Sequence, residues 1–89
     1  MISRTTEGFR KAFQQLPEHI QQQARTTYRL FRQDPTHSSL RFKKVHPSEP
    51  IYSARVGRSY RALAIREGER LTWFWIGSHA DYGAMLKRR

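Results

Sequence analysis

The sequence predicts an α+β fold: an N-terminal helical hairpin packed on a small, mainly antiparallel twisted sheet, with a short C-terminal helix. Three observations predict it. Apolar residues recur at helical spacing up to Phe31. From Leu40 onward the spacing changes to alternation and short apolar runs. Those runs are joined by brief polar turns at Gly57-Arg58-Ser59 and Arg66-Glu67-Gly68-Glu69-Arg70, too short for crossovers, so neighbouring strands should pair antiparallel.

Met1 to Arg4 can form a short first strand. Thr5 or Thr6 can then cap a helix that carries Glu7 in its first turn, where an acid suits the helix dipole. Phe9, Phe13 and Leu16 define its apolar face. Leu16-Pro17 interrupts the chain, and Pro17 suits the start of a second helix from about Glu18 to Gln33. Ile20, Ala24, Thr27, Tyr28 and Phe31 form the inner stripe of that helix, and Asp34-Pro35 ends it. The joint between the helices is so short that they should fold back on each other.

Leu40 to Val45 reads as a strand, because Leu40 and Phe42 alternate with Arg41 and Lys43. A loop, His46-Pro47-Ser48-Glu49-Pro50, follows. In the next strand Tyr52, Ala54 and Val56 share one face, and Ser53 and Arg55 point the other way. Tyr60 to Ile65 and Leu71 to Ile76 are apolar on both faces and should be central. After Gly77-Ser78, residues His79 to Leu86 form a short terminal helix with Ser78 as its cap. Residues 1–89 are expected to form one domain.

Composition narrows the function. Seventeen Lys and Arg face seven acidic residues, a formal charge of +10. A balance this basic on so small a chain predicts a polyanionic partner. There is no cysteine, which excludes disulfides and thiolate metal sites. Neither a membrane-spanning run nor the apolar core of a secretory signal is visible, so a cytoplasmic protein with no membrane partner is expected. His19 and His37 have no metal-ligand spacing, and no glycine-rich phosphate loop or carboxylate pair occurs. No cofactor and no metal are expected.

The chemistry-bearing residues gather in the second half. Arg61 shares strand parity with Leu63 and Ile65, so its stem runs along an apolar face. Either it meets a phosphate with Arg55 and Arg58, or it pairs with Glu67 or Glu69 or reaches water. Arginine's planar fork can grip phosphate at two points and keeps its charge at neutral pH. His79, Asp81 and Tyr82 follow the last strand, where a sheet can hold side chains open to solvent. Taken singly, they also read as an exposed residue, a favourable first-turn charge and core packing. Lys43, Lys44 and His46 form a further basic cluster, either a solvated face or an extension of a nucleic-acid track. Trp73, Phe74 and Trp75 read as core. RNA can be cut without a metal if a base deprotonates the 2′-hydroxyl, cations steady the phosphorane and an acid protonates the leaving oxygen.

The Leu-Pro break, the Asp-Pro helix end, the run LRFKKV, then YSARVGRSYRALA and WIGSHADY together resemble the RelE/ParE superfamily of bacterial type II toxins over essentially the whole chain. The resemblance implies a RelE-like, microbial RNase-like fold and a cognate antitoxin. It implies, on the RelE branch, a ribosome-dependent mRNA endonuclease acting on mRNA in the ribosomal A site. On the ParE branch it implies a non-nuclease inhibitor of DNA gyrase, and a catalytically decayed RNA-binding module is a third alternative. By position it assigns catalytic roles to Arg55, Arg61, His79 and Tyr82. Lys43, Lys44 and Arg58, from their charge and placement in the chain, are expected as flanking RNA contacts. The paired lysines found in RelE on the strand before the arginine strand are replaced here by Ser53 and Arg55, and a glutamate of YoeB-like members by Ser38-Ser39. No clear general base replaces them unless His79 serves.

Overall fold

The computed structural model describes residues 1–88. Its elements in order are β1 (Ile2–Thr5), α1 (Glu7–Gln14), α2 (Glu18–Gln33), a single 3-10 turn (Ser38–Leu40), β2 (Lys43–Lys44), β3 (Ile51–Val56), β4 (Tyr60–Glu67), β5 (Arg70–Ser78) and α3 (His79–Arg88). The five strands form one sheet in the order β1-β5-β4-β3-β2. Only β1 runs parallel to its neighbour; the other pairs are antiparallel. The expected α+β architecture is therefore present, and the weakly signalled first strand is real. Among the described residues no helix is long and apolar enough to cross a membrane.

Both predicted helices begin as their sequences indicate. Thr6 is extended, and its Oγ1 accepts the Phe9 N–H at 3.0 Å, satisfying one of the free donors of the first turn. Replacing Thr6 with alanine should cost about 1 kcal/mol of stability, read by urea unfolding. An unchanged midpoint would show that tertiary contacts alone hold α1. Pro17 caps α2 without a side-chain bond; its carbonyl accepts from the N–H groups of Ile20 and Gln21. Gln21 Nε2 donates to Leu16 O at 3.1 Å and ties the two helices across their joint. At the far end of α2, Asp34 accepts from the Thr36 hydroxyl at 2.7 Å and the Thr36 N–H at 3.1 Å. These bonds, the hydroxyl first, hold the Asp34 carboxyl below the usual carboxylate range.

The expected strand over Leu40–Val45 is shorter than its alternation suggests. Leu40 ends the 3-10 turn, Arg41 adopts a left-handed conformation with φ of 46°, and only Lys43–Lys44 pairs with β3. The cause is local. His37 Nδ1 accepts the Ser39 N–H at 3.2 Å and stabilises a turn that competes with extended pairing. The left-handed Arg41 breaks the run, with Leu40 buried in the core on one side of it and Phe42 packed against Phe31 on the other.

The main core lies between the sheet and the helices. Phe31, Leu40, Ala54, Val56, Ala62, Ala64, Leu71, Trp73 and Ile76 form it, and Phe31 meets Trp73 edge to face at 5.6 Å. The fit is incomplete. An apolar cleft of about 490 Å³ remains, lined by Phe9 and Phe13 of α1, Thr27 and Tyr28 of α2, and Val56 and Trp73 of the sheet. Tyr28, expected on the inner stripe, is 41% exposed there. Phe31 of the same stripe closes on the sheet, and the cleft opens only beside Tyr28.

Candidate nucleic-acid interface

The strand register sorts the candidate residues onto two faces. Ala54, Ala62 and Ile76 lie opposite one another on the helix side. One step along, Arg55 pairs with Arg61, and Arg61 with Gly77, on the outer face. A second outer row runs Lys43, Ser53, Leu63, Trp75. Lys43 therefore shares the outer face with the arginines. Lys44 pairs with Tyr52 and belongs to the helix side, away from them. Arg58 is exposed in the turn between β3 and β4, which Gly57 opens with φ of +61°.

A bulge brings Trp75 to the outer face. Leu63 pairs with Trp75 and Ala64 with Trp73, so Phe74 is the extra residue on β5. Without it the two tryptophans, two positions apart, would share a face. With it, Trp73 enters the core and Trp75 lies half-buried beside the arginine row. Gly77 makes room for its ring: a Cβ at that position would sit 2.6 Å from Trp75 Cζ2. Trp73 and Trp75, read together as core, thus divide between the two sides of the sheet.

The arginines would repel each other if both extended straight across the strand pair. They are drawn apart. Arg55 Nε donates to Gly57 O at 2.8 Å, toward the turn. Arg61 Nη1 donates to Ser53 Oγ at 3.1 Å, in the opposite direction. The Arg61 guanidinium also lies over the Tyr82 ring, 5.3 Å from its centroid. Tyr82 in turn stacks on His79, with centroids 5.7 Å apart and planes at 24°. The order Ser53, Arg61, Tyr82, His79 is continuous contact. The alternative pairing of Arg61 with Glu67 or Glu69 is not seen: among the described residues neither acid forms an ion pair with it.

The end of the sheet sets α3. The His79 N–H donates to Ser59 O at 2.7 Å, and Ser78 Oγ accepts the Asp81 N–H at 3.1 Å, so Ser78 caps the helix as predicted. His79 is exposed and Tyr82, three residues on, is half-buried on the same helical face. Arg55, Arg61, His79 and Tyr82 are thus placed at one end of the outer face, Arg58 borders them, and Lys43 extends the same face. Ser53 and Trp75 join this group, although the sequence assigns neither to the site. For the first the available signal was its place on the strand face that carries Arg55, where RelE has a lysine. Nothing in the local sequence signals the bulge that exposes the second.

A helical pair on one side of a mostly antiparallel sheet, with an arginine-bearing opposite face closed by a C-terminal helix, is the frame of the RelE/ParE superfamily of toxins. Residues 18–84 match the model of the ParE-like toxin domain, and the chain belongs to that family. The fold matches YafQ from E. coli strain BL21(DE3) with a TM-score of 0.72 at 12% identity, over 90% of this chain and 94% of that one. It matches a chain of the RelB-RelE antitoxin-toxin complex from Methanococcus jannaschii with a TM-score of 0.72 at 17% identity, over 91% and 95% of the two chains. For the toxin-antitoxin complex RelBE2 from Mycobacterium tuberculosis the TM-score is 0.66 at 20% identity, over 88% and 96%. No curated protein sequence matches the chain.

Proposed function

We propose that this toxin-family domain, comprising residues 1–89, is a ribosome-dependent mRNA endonuclease of the cytoplasm that blocks translation. The observation that carries the reading is Arg61: a half-buried side chain with no acidic partner among the described residues, held by a neutral hydroxyl and lying against Tyr82, which in turn stacks on His79. A cation held this way has its charge available for an anion. In the proposed reaction the RNA 2′-hydroxyl loses its proton and its oxygen attacks the adjacent phosphorus. The bond from phosphorus to the 5′-oxygen breaks, leaving a 2′,3′-cyclic phosphate and a 5′-hydroxyl. Arg61 and Arg55 steady the charge on the phosphorane. His79 takes the proton from the 2′-hydroxyl and returns it to the departing 5′-oxygen, and Tyr82 holds both Arg61 and His79 in place while offering a ring edge and hydroxyl to the RNA. Arg58 and Lys43 extend the contact to neighbouring phosphates. No step requires a metal or a cofactor.

The same reading includes a cognate antitoxin. The open apolar cleft beside Tyr28, on a chain of charge +10, suits a partner segment that is apolar on one side and acidic on the other. The antitoxin-bound form of the Methanococcus jannaschii relative supports the idea by fold alone.

A second reading follows from the matching family model, which is named for ParE. Here the chain is a non-nuclease inhibitor of DNA gyrase, using the same basic face. The two separate cleanly. Purified protein added to translating ribosomes should cut mRNA at mapped positions and leave gyrase supercoiling unchanged. Supercoiling block without mRNA cuts would establish the gyrase reading and overturn the first. RNA affinity with neither activity would identify a decayed binding module.

A further inference from the structure

Ser53 is the least expected residue of the outer face. It is 0% exposed, and it stands between the fully buried Ile51 and the half-buried Arg55 on one side of β3. A buried hydroxyl needs a partner. Among the described residues that partner is Arg61 Nη1, reached diagonally across the β3–β4 pair. Arg61 is itself in register with Arg55, and like charges at directly opposed positions disfavour each other. The serine bond turns the Arg61 guanidinium back along the sheet, while the Gly57 carbonyl turns Arg55 the other way. Ser53 therefore helps decide where the Arg61 fork points.

The chemical type of the acceptor matters. A carboxylate at this position would hold Arg61 more strongly but cancel its charge. A hydroxyl oxygen accepts one N–H of the five in the fork and carries no charge, so the cation keeps its strength for a phosphate. With the Tyr82 ring against the guanidinium plane, the orientation is restrained both by a hydrogen bond and by a ring contact. We propose that Ser53 is a positioning residue: a neutral, buried acceptor that pre-sets Arg61 to receive a phosphodiester. This rests on the endonuclease reading of the same site.

The test compares the full chain with Ser53→Ala, Ser53→Thr, Arg61→Ala and the Ser53→Ala/Arg61→Ala double variant. Thermal unfolding first establishes that each folds. On translating ribosomes, Ser53→Ala should lower kcat by about tenfold, with KM held within about twofold, because orientation in the transition state is lost and not ribosome binding. Ser53→Thr, which restores a hydroxyl, should recover activity to within about threefold of the parent. In the Arg61→Ala background, removing the serine hydroxyl should change nothing further. A Ser53→Ala enzyme with parental kcat, or one whose loss persists at full size without Arg61, overturns the proposal.

A second readout does not depend on cleavage. The rotation of the Arg61 guanidinium about its Nε–Cζ bond, followed by 15N NMR, should be clearly faster in Ser53→Ala than in the parent and slow again in Ser53→Thr. If the parent protein cuts no mRNA, the endonuclease reading fails, and this measurement still decides whether Ser53 orients Arg61. Equal rotation rates in the parent and Ser53→Ala overturn it. If Ser53→Thr proves too large to fold in this buried site, Ser53→Cys, with a weakly accepting sulfur, should give a rate between those of serine and alanine.

Discussion

Arg61→Ala is expected to lower mRNA cleavage on ribosomes by about 100-fold, about 2.7 kcal/mol of barrier, the usual effect of removing one pre-placed donor from a developing anion. The reason lies in what surrounds the residue. Arg61 has no acid to neutralise it among the described residues and makes one neutral hydrogen bond, to Ser53. Removing it should therefore delete a phosphate contact without stranding a buried countercharge. The buried Ser53 hydroxyl would lose its donor, which should cost about 1–3 kcal/mol of stability, so thermal unfolding of the variant accompanies the cleavage assay. Arg61→Lys separates charge from geometry. Lysine keeps the cation but lacks the planar fork, and it should recover only part of the lost rate. Undiminished cleavage by Arg61→Ala, with the same cut positions, would remove Arg61 from the mechanism.

The second large effect is expected at Gly77. A Cβ there would approach Trp75 Cζ2 to 2.6 Å, well inside van der Waals contact, and Gly77 is paired in register with Arg61. Gly77→Val should cost about 1–3 kcal/mol, because the indole must leave its place or the strand must shift. On a domain of this size that corresponds to a fall in Tm of roughly 4–8 °C per kcal/mol. The change should also lower cleavage, since a displaced Trp75 ring moves against the arginine row. A cycle with Trp75→Ala provides the check. If the clash is the cause, removing the indole should make Gly77→Val markedly less costly, with a coupling of about 1 kcal/mol or more. Additive losses would place the cost of valine in the strand backbone, not in the contact with Trp75.

The two residues differ in how visible they are beforehand. Arg61 can be singled out from strand parity alone, since a cation on the same side as Leu63 and Ile65 calls for an explanation. What it contacts cannot. Its predicted choice between phosphate and Glu67 or Glu69 turned on the direction of one guanidinium, and Ser53 and Tyr82 bear on that direction from β3 and α3. Gly77 read only as the glycine before a helix cap. Its close approach to Trp75 is a contact within β5, two residues apart on one face, and the bulge at Phe74 decides that this face is the one that carries the arginines. A bulge is a property of two strands together, and neither strand alone announces it.

The basic cluster shows the same limit at shorter range. Lys43 and Lys44 are adjacent, so any strand sends them to opposite sides, and pairing with Ser53 and Tyr52 decides that Lys43 is the one that joins the arginines. The intended strand around them also shortened, because the His37-capped turn and the left-handed Arg41 took the residues that alternation had assigned to extended structure. Alternation measures which side chains are apolar. It does not measure whether the backbone between them is straight.

By itself, the amino-acid sequence determined the helix limits at Pro17 and Pro35, a threonine cap at Thr5 or Thr6, the Ser78 cap, the central place of the two apolar strands, the basic charge and the family. These follow from local rules: proline geometry, capping hydrogen bonds, apolar period and composition. Tertiary structure decided that β1 pairs parallel to β5, that the helices leave a cleft beside Tyr28, that Trp73 and Trp75 part company, and that Ser53 holds Arg61 away from Arg55. Each of these depends on how separate segments pair or pack against one another. A shift of one residue in strand register reverses a side chain's face, and no single segment contains the information that sets it.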